Sequence, residues 1–135
     1  MTKRRERNVP NNFVVDAMPE KNNLEARDFL GQTLEVIIDR PAGSFHPRFN
    51  YIYPVNYGYI AGTMAPDGEE IDAYILGEKR PLVVFFGQCI AVIHRTDDHD
   101  DKLVVVAEGI TLTDDEIRLQ TEFQEQYFKS VIIRK

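Results

Sequence analysis

The sequence predicts a mainly β fold of the α+β class, a small barrel with one helix packed on it near the C-terminal end. Three observations support this fold: short apolar runs between turn residues, one amphipathic run with a helix start signal, and no repeat or linker that would divide the chain. The 135 residues, 43% of them hydrophobic, suit one globular domain. We therefore expect a single domain over residues 1–135, whose first 22 residues or so form a flexible polar segment.

Strands are predicted where apolar and polar residues alternate, or where apolar residues run together between turn residues. The predicted segments are 32–40, 73–76, 82–86, 89–95 and 102–107, with Gly87-Gln88 separating the third from the fourth. A short helical or coil lead-in is expected near residues 24–30. The aromatic stretch 53–59 is expected to form a tight turn, because proline, asparagine and glycine lie among its tyrosines.

The predicted helix has a clear start signal. Thr113 is followed three positions later by Glu116, which is the spacing of a capping box. The helix is predicted over about residues 114–129. Its apolar side is expected to consist of Ile117, Leu119, Phe123, Tyr127 and Phe128.

Composition and charge argue against several classes of protein. The formal net charge of -6 disfavours general binding of nucleic acid through its phosphates. No apolar stretch approaches the roughly 20 residues of a membrane span, and no signal core follows the basic N-terminal residues. The single cysteine, Cys89, lies in an apolar run and is expected to be a buried structural residue. We expect a cytoplasmic protein with no membrane partner.

Two clusters of acids lie between the predicted strands. The first is Asp67-Gly68-Glu69-Glu70-Ile71-Asp72, and the second is Asp97-Asp98-His99-Asp100-Asp101 with Lys102 directly after it. Carboxylates held close together repel each other unless a cation is present, and a hard divalent ion prefers oxygen ligands. The first cluster also fits a solvated turn. However, its last acid falls inside a strand pattern, with Tyr74 on its own face and Ile71, Ala73 and Ile75 on the other.

Cations and phenols near these clusters suit an anionic substrate. The candidates are Arg48, Lys102, Lys129, Tyr57 and Tyr127. Arginine and lysine make strong charge-assisted contacts with phosphate. Acids, metal ions, cations and phenols together suit phosphoryl transfer to water, in which catalysis depends on positioning and on charge stabilisation. The three histidines, Glu70 and Asp98 are expected to be structural or solvated.

At these motifs the sequence resembles the soluble, family I inorganic pyrophosphatases. Residues 53–60, YPVNYGYI, resemble the family's YPxNYGY segment, and residues 67–72 resemble its D-G-D-x-x-D signature. Thr96-Asp97 and Asp100-Asp101-Lys102 resemble its third acidic motif. The resemblance implies a small five-stranded, OB-like closed barrel with a C-terminal helix. It also implies hydrolysis of pyrophosphate to two phosphates that depends on two or more Mg²⁺ ions, with Mn²⁺ as a possible substitute.

The resemblance also implies residue roles. Asp67, Asp72 and Asp97 would bind metal, together with Asp100 or, as the alternative, Asp101. Glu69 would orient and deprotonate the attacking water, and Asp72 counts as catalytic as well. The remaining roles fall to side chains on the phosphate side and in the second metal shell: Tyr57, Lys102, Tyr127, Arg48 and Lys129 for phosphate, and Asp39 for the second shell.

The sequence departs from the family pattern at several places. Glu69 replaces an aspartate, the turn 97–102 is shortened, and the segment 39–53 lacks a hairpin that carries a phosphate-binding lysine. Phe128 stands at a family lysine position, with Lys129 one step on. These departures leave two alternatives open: a pyrophosphatase-like domain that binds phosphates without turnover, and an OB-type nucleic-acid module. A homo-oligomer is also expected.

Overall fold

The computed structural model describes residues 25–65 and 68–135, so the segment expected to be flexible at residues 1–22 lies outside the described residues. The first element of the described residues is a 3₁₀-helix, Ala26–Phe29, which agrees with the expected lead-in. The strands and the α-helix are β1 Thr33–Arg40, β2 Asn56–Ile60, β3 Ile71–Ile75, β4 Val84–Arg95, β5 Asp101–Val106, α1 Asp114–Glu125 and β6 Ser130–Ile133.

The strands form one sheet that closes on itself. Its order is β1-β2-β3-β5-β4-β6, and β1 pairs again with β4, so five strands close a barrel while β6 extends it along β4. Neighbouring strands are antiparallel except β3 and β5, which are parallel. Closure leaves no open edge between β1 and β4. The predicted mainly β fold, a closed five-stranded OB-like barrel with a C-terminal helix, is confirmed.

Two apolar clusters line the two faces of the barrel wall. One fills the barrel and includes Ile71, Ala73 and Ile75. The other lies outside the wall and includes Tyr74 of β3 and Ile117 of α1. The alternation predicted for β3 is therefore confirmed. Because α1 covers the outer face, this strand is buried on both sides, and its polar residue is enclosed between the barrel and the helix region.

Residues 56–60 form strand β2 and not the predicted tight turn. Gly58 pairs with Ile38 on β1, and a Cβ at this position would lie 2.0 Å from the Ile37 carbonyl oxygen. The glycine therefore permits a close approach of two strands instead of a turn. The asparagine and glycine of this stretch carry turn propensity, but the pairing of β2 with both β1 and β3 outweighs it.

The amide of Asn56 joins three segments of the chain. Its oxygen accepts hydrogen bonds from the backbone N–H groups of Ala42 and Leu82, both at 3.0 Å. Its nitrogen donates to the carbonyl oxygens of Glu78 at 3.2 Å and Arg80 at 2.9 Å. The side chain is fully buried, and these four bonds satisfy its donors and acceptors. They hold together the loop that follows β1 and the loop between β3 and β4.

Strand β4 is one continuous strand of 12 residues and not the two predicted pieces. Its first half pairs with β1 and its second half with β5 and β6. A Cβ on Gly87 would lie 2.5 Å from the Val106 carbonyl oxygen. This glycine therefore marks the point where β4 passes closely over β5 as the barrel closes. In the sequence alone, the same glycine looks like a break between two strands.

Helix α1 begins where predicted and ends earlier. Thr113 caps the helix with both hydrogen bonds of the capping box. The helix ends at Glu125, and the segment after it is held by the β4–β5 turn. The Lys129 N–H donates to the Asp97 carboxylate at 3.0 Å, and the Lys129 carbonyl accepts from the Thr96 N–H at 2.8 Å. Tertiary hydrogen bonds therefore stop a helix that the apolar periodicity would extend to residue 129.

The buried face of α1 also differs from the predicted one. Its buried residues are Ile117, Thr121 and Glu125, spaced four apart on one stripe. Leu119 and Tyr127, which were predicted to be on the apolar side, are 73% and 68% exposed. The buried stripe thus ends in a charged residue, Glu125, which the predicted apolar side did not include. No helix among the described residues has the length and apolar character needed to cross a membrane.

Cys89 is expected to resist thiol reagents as long as the protein is folded. It is 1% exposed, in agreement with the prediction, and burial raises the pKa of its thiol to about 11. Because the thiolate is the reactive form, we expect labelling at pH 8 to be at least about a hundredfold slower in the native protein than in urea. Stoichiometric labelling of the native protein at the urea rate would contradict this.

Candidate active site

An ion pair between β3 and β5 forms the centre of the site. The parallel register places Asp72 opposite Lys102. The Lys102 Nζ donates to the Asp72 Oδ2 at 2.9 Å, and both side chains are almost completely buried. A buried pair is stable only when its remaining polar atoms are also bonded. The two acid clusters of the sequence thus meet at one lysine.

Tyr57 supports the same carboxylate. Its hydroxyl donates to the Asp72 Oδ2 at 2.7 Å, a short distance that is typical of a charge-assisted bond. Its ring stacks on Tyr53 at 5.6 Å and meets Tyr74 edge-on at 5.0 Å. The phenol is therefore held rigidly by aromatic packing on the outer face of the wall.

Asp100 provides the second acid on Lys102. Its Oδ2 accepts from the Lys102 Nζ at 2.9 Å, so one ammonium bridges two carboxylates. Burial alone would lower the pKa of Lys102, but Asp72, then Tyr57 and Asp100, raise it above its usual value. The ammonium therefore remains charged. Two carboxylates converging on one cation are the kind of oxygen donors that a hard divalent ion accepts.

Asp101 lies on the other face of β5. Its Oδ1 contacts the Nδ1 of His94 at 2.6 Å, and the two residues are register partners between β4 and β5. Successive residues of a strand point to opposite faces, so Asp100 shares the face of Lys102 and Asp101 does not. Of the two alternatives, the structure places Asp100 beside Lys102.

Asp97 lies on the exposed turn after β4. Its carboxylate accepts the backbone N–H of Lys129 at 3.0 Å, and this hydrogen bond holds the pKa of Asp97 below its usual value. The carboxylate is therefore ionised and adjacent to the segment that carries Lys129. This contact brings the second acid cluster together with the C-terminal candidates.

The other sequence candidates lie further out or beyond the described residues. Glu69 and Asp39 are half-buried, while Arg48 and Tyr127 are exposed. Asp67 lies outside the described residues. Among the residues that the structure describes, no three side chains of histidine, cysteine, aspartate or glutamate are grouped closely enough to hold a metal by themselves.

A buried ion pair that was not predicted from the sequence lies beside the site. Arg95, the last residue of β4, donates from Nε to Glu125 Oε1 at 3.0 Å and from Nη2 to Glu125 Oε2 at 2.7 Å. Its Nη1 donates to Asp98 Oδ2 at 3.2 Å. Burial alone would lower the pKa of Arg95, but Glu125 raises it above its usual value. The sequence did hold a signal that Glu125 is buried, because residues eight positions apart lie on the same face of a helix and Ile117 is apolar.

A tyrosine links this pair to β3. The Tyr74 hydroxyl donates to Glu125 Oε2 at 2.6 Å and accepts from Gln124 Nε2 at 2.7 Å. Burial, followed by the Glu125 charge, raises the pKa of Tyr74 well above its usual value, so the phenol stays protonated. Asp98, which was expected to be solvated, is also part of the network. Four acids, Asp72, Asp98, Asp100 and Glu125, face two cations, Lys102 and Arg95, which leaves two formal negative charges.

A family model described as "Inorganic pyrophosphatase" matches residues 34–132. The Agrobacterium fabrum inorganic pyrophosphatase is 32% identical over 111 residues, which are 75% of this chain and 62% of that protein. The Campylobacter jejuni inorganic pyrophosphatase is 30% identical over 101 residues, 68% of this chain and 58% of that protein. The chain thus spans less than two thirds of the length of these curated relatives.

Solved structures show the same fold. An inorganic pyrophosphatase from Ehrlichia chaffeensis superposes with a TM-score of 0.62 at 17% identity, covering 84% of this chain and 92% of that chain. One from Neisseria gonorrhoeae superposes with a TM-score of 0.55 at 26% identity, covering 72% and 74%. The first of these likenesses, at its low identity, concerns the fold alone.

Proposed function

The chain belongs to the inorganic pyrophosphatase family, and from that membership we propose that it hydrolyses inorganic pyrophosphate to two phosphates. The observation that carries the proposal is the convergence of Asp72 and Asp100 on Lys102, with Tyr57 bonded to the same aspartate. It unites acidic motifs from two separate parts of the sequence in one place. We propose further that the reaction requires a divalent cation.

The chain's own residues would bind and orient the anionic substrate. Lys102 is a buried ammonium whose pKa is raised by the neighbouring acids against the effect of burial, and a phosphate oxygen that reaches it gains a charge-assisted hydrogen bond. The Tyr57 hydroxyl beside it is a neutral donor in a fixed position. Such preorganised donors stabilise charge that develops on phosphate oxygens, because they need no rearrangement during the reaction.

Carboxylate oxygens are the groups that would hold the cation. Asp72 and Asp100 are proposed first, because their oxygens already share one cation and the network around them has excess negative charge. Asp67, Asp97 and Asp101 are proposed on the basis of the sequence motifs, and Asp39 as a second-shell group. Mg²⁺, in two or more copies, is proposed, with Mn²⁺ as a substitute. A bound divalent ion would neutralise phosphate oxygens and make a water molecule more acidic.

Glu69 is proposed as the group that orients and deprotonates the attacking water, and Arg48, Tyr127 and Lys129 as further phosphate contacts. Arg48 lies on the loop between β1 and β2, while Lys129 follows α1 and is tied to the 96–97 turn. These segments would bring cations to the substrate from two sides of the barrel wall.

Mg²⁺ is expected to control both activity and stability. Protein freed of metal with a chelator should release no phosphate from pyrophosphate, and millimolar Mg²⁺ should restore release. Because the ion binds only the folded form, it should also stabilise the protein, by about 2.7 kcal/mol in the free energy of unfolding at a concentration of 100 times Kd. The melting temperature should rise accordingly. A phosphate-release assay and a thermal melt, each with and without Mg²⁺, check both effects.

The same assay separates the alternatives. A phosphate-binding domain without turnover would bind pyrophosphate in calorimetry and release no phosphate at any Mg²⁺ concentration. An OB-type nucleic-acid module would bind a single-stranded oligonucleotide with an affinity that falls with added salt. If Mg²⁺ left phosphate release and melting unchanged, the proposed metal dependence would be wrong.

Glu69→Gln is expected to lower kcat by on the order of 10²-fold, because glutamine cannot take up a proton from water. Metal binding and folding should stay nearly unchanged. Glu69→Asp shortens the side chain by about 1.5 Å, one C–C bond, and is expected to lower the rate as well if the turn is built around the longer acid. Steady-state kinetics at saturating Mg²⁺ measure both variants. Full activity of Glu69→Gln would show that another group accepts the proton.

A homo-oligomer is part of the proposal. Large apolar side chains are exposed on the loop between β1 and β2, directly before β4 and on β4, namely Phe45, Phe49, Ile52, Val83 and Phe86. Exposed apolar side chains of this size are typical of surfaces that bury themselves in an assembly. Light scattering coupled to gel filtration tests this proposal, and a monomer at micromolar concentration would contradict it.

A further inference from the structure

Arg95 is locked in place by the helix side of the site. Both oxygens of Glu125, near the end of α1, accept from its guanidinium at 3.0 and 2.7 Å, a bidentate arrangement with fixed direction. The Phe128 ring lies 3.6 Å from the guanidinium carbon. Side-chain exposure is 5% for Arg95 and 7% for Glu125, so water competes little for these bonds. The guanidinium has little freedom to move.

The Nη1 end of Arg95 contacts the acidic turn between β4 and β5. Its Nη1 donates to Asp98 Oδ2 at 3.2 Å and lies 3.8 Å from Asp100 Oδ2. The other Asp98 oxygen, Oδ1, accepts the backbone N–H of Asp100 at 3.0 Å. Asp98 is therefore a clamp between the guanidinium and the backbone of the residue whose carboxylate meets Lys102. Moving the guanidinium would move Asp100.

The same glutamate also reaches β3. Its Oε2 accepts from the Tyr74 hydroxyl at 2.6 Å, and Tyr74 lies two positions after Asp72 on the same face of the strand. Glu125 thus connects the two acids that Lys102 bridges, through Tyr74 on one side and through Arg95 and Asp98 on the other. Because the Arg95–Glu125 pair is formally neutral, it holds this geometry without adding positive charge to the acids.

We propose that Arg95 is a positioning residue that acts through Asp98 to hold Asp100 in place, and that it thereby sets the affinity of the site for its divalent cation. The proposal rests on the proposed function, since it concerns the same cation site. Groups that orient metal ligands commonly change metal affinity by 10- to 100-fold when they are removed, although they do not touch the ion. A purely structural ion pair would change only the stability of the fold.

The test is a double-mutant cycle read out by calorimetric binding of Mg²⁺ alone. Arg95→Lys keeps a positive charge beside Glu125, but its single ammonium lacks the planar set of N–H donors with which the guanidinium reaches Glu125 and Asp98 together. Asp98→Asn removes the charge of the clamp at a residue that is 39% exposed, so it does not endanger folding. Each change is expected to weaken Mg²⁺ binding roughly tenfold, and the two together no more than either alone, because they break one chain of contacts.

A matched control removes the same kind of contact elsewhere on α1. Arg134 pairs with Asp114 at the start of the helix, at 2.7 Å, on the surface. Arg134→Lys should leave Mg²⁺ affinity unchanged. At saturating Mg²⁺, kcat of Asp98→Asn should return to the wild-type value, because the reacting groups are intact. A mere loss of stability would move the melting temperature and leave the Mg²⁺ affinity at 25 °C unaltered.

Three results would overturn the proposal. Wild-type Mg²⁺ affinity in Asp98→Asn would show that the clamp does not position Asp100. A roughly hundredfold loss in the double variant, the product of the single losses, would show that Asp98 and Arg95 act independently. If the wild-type protein hydrolyses pyrophosphate and binds Mg²⁺ while every variant binds equally well, this inference alone fails. If the wild type binds no Mg²⁺, the proposed function fails with it.

Discussion

Asp72→Asn is expected to lower kcat/KM for pyrophosphate by at least about a hundredfold. Asparagine keeps the shape of the side chain and removes the negative charge that pairs with Lys102 at 2.9 Å. The charge is also the reason why a cation would bind there, so Mg²⁺ affinity should fall together with turnover. Phosphate release and calorimetric Mg²⁺ binding measure the two effects.

The fold should survive this substitution. The asparagine oxygen still accepts the Tyr57 hydroxyl, and Lys102 keeps its bond to Asp100 at 2.9 Å. A circular dichroism melt serves as the check, with Asp114→Asn as the control variant, because Asp114 is a surface acid on α1 far from Lys102 in sequence and has no proposed role. Near-normal turnover of Asp72→Asn would remove Asp72 from the proposed site.

Glu125→Ala is expected to have the largest effect on stability, a loss of about 3–5 kcal/mol. The substitution leaves the Arg95 guanidinium buried without its bidentate partner and removes the acceptor of the Tyr74 hydroxyl. Asp98 remains a partner of the guanidinium, but removing one member of a buried pair costs much more than the pair contributes. Urea unfolding, monitored by circular dichroism, measures the change in the free energy of unfolding.

The control for this prediction is Arg134→Ala. It breaks a surface pair on the same helix, with side chains 35% and 56% exposed, and should cost less than about 1 kcal/mol. Equal losses in the two variants would show that burial adds nothing to the Arg95–Glu125 pair. Such a result would also weaken the inference that Arg95 is rigidly held.

Much of the barrel could be predicted from the sequence, because alternation along a strand is local. The pattern around Asp72 correctly predicted which residues of β3 share a face. Residues 56–60 and Gly87 were interpreted wrongly, since glycine signals a turn and a close approach equally well. Only the neighbouring strand distinguishes the two cases.

The candidate site was predicted in part. The motifs singled out Asp72, Asp100 and Lys102, which the structure brings together. Arg95 and Glu125 were missed, because a charged residue in an apolar run or on a helix carries no sign of its partner. They lie 30 positions apart and meet only when α1 packs against the barrel wall.

The sequence by itself determined the start of α1, the two faces of β3 and the positions of the acids. Each of these depends on residues within a few positions of each other, as in the capping box between Thr113 and Glu116. The tertiary structure alone decided that Asp72 and Asp100 meet at Lys102, because the parallel pairing of β3 with β5 brings Asp72 next to a residue 30 positions later in the sequence. It also ended α1 at Glu125, because hydrogen bonds to the β4–β5 turn outweigh a helical periodicity that continues past that residue.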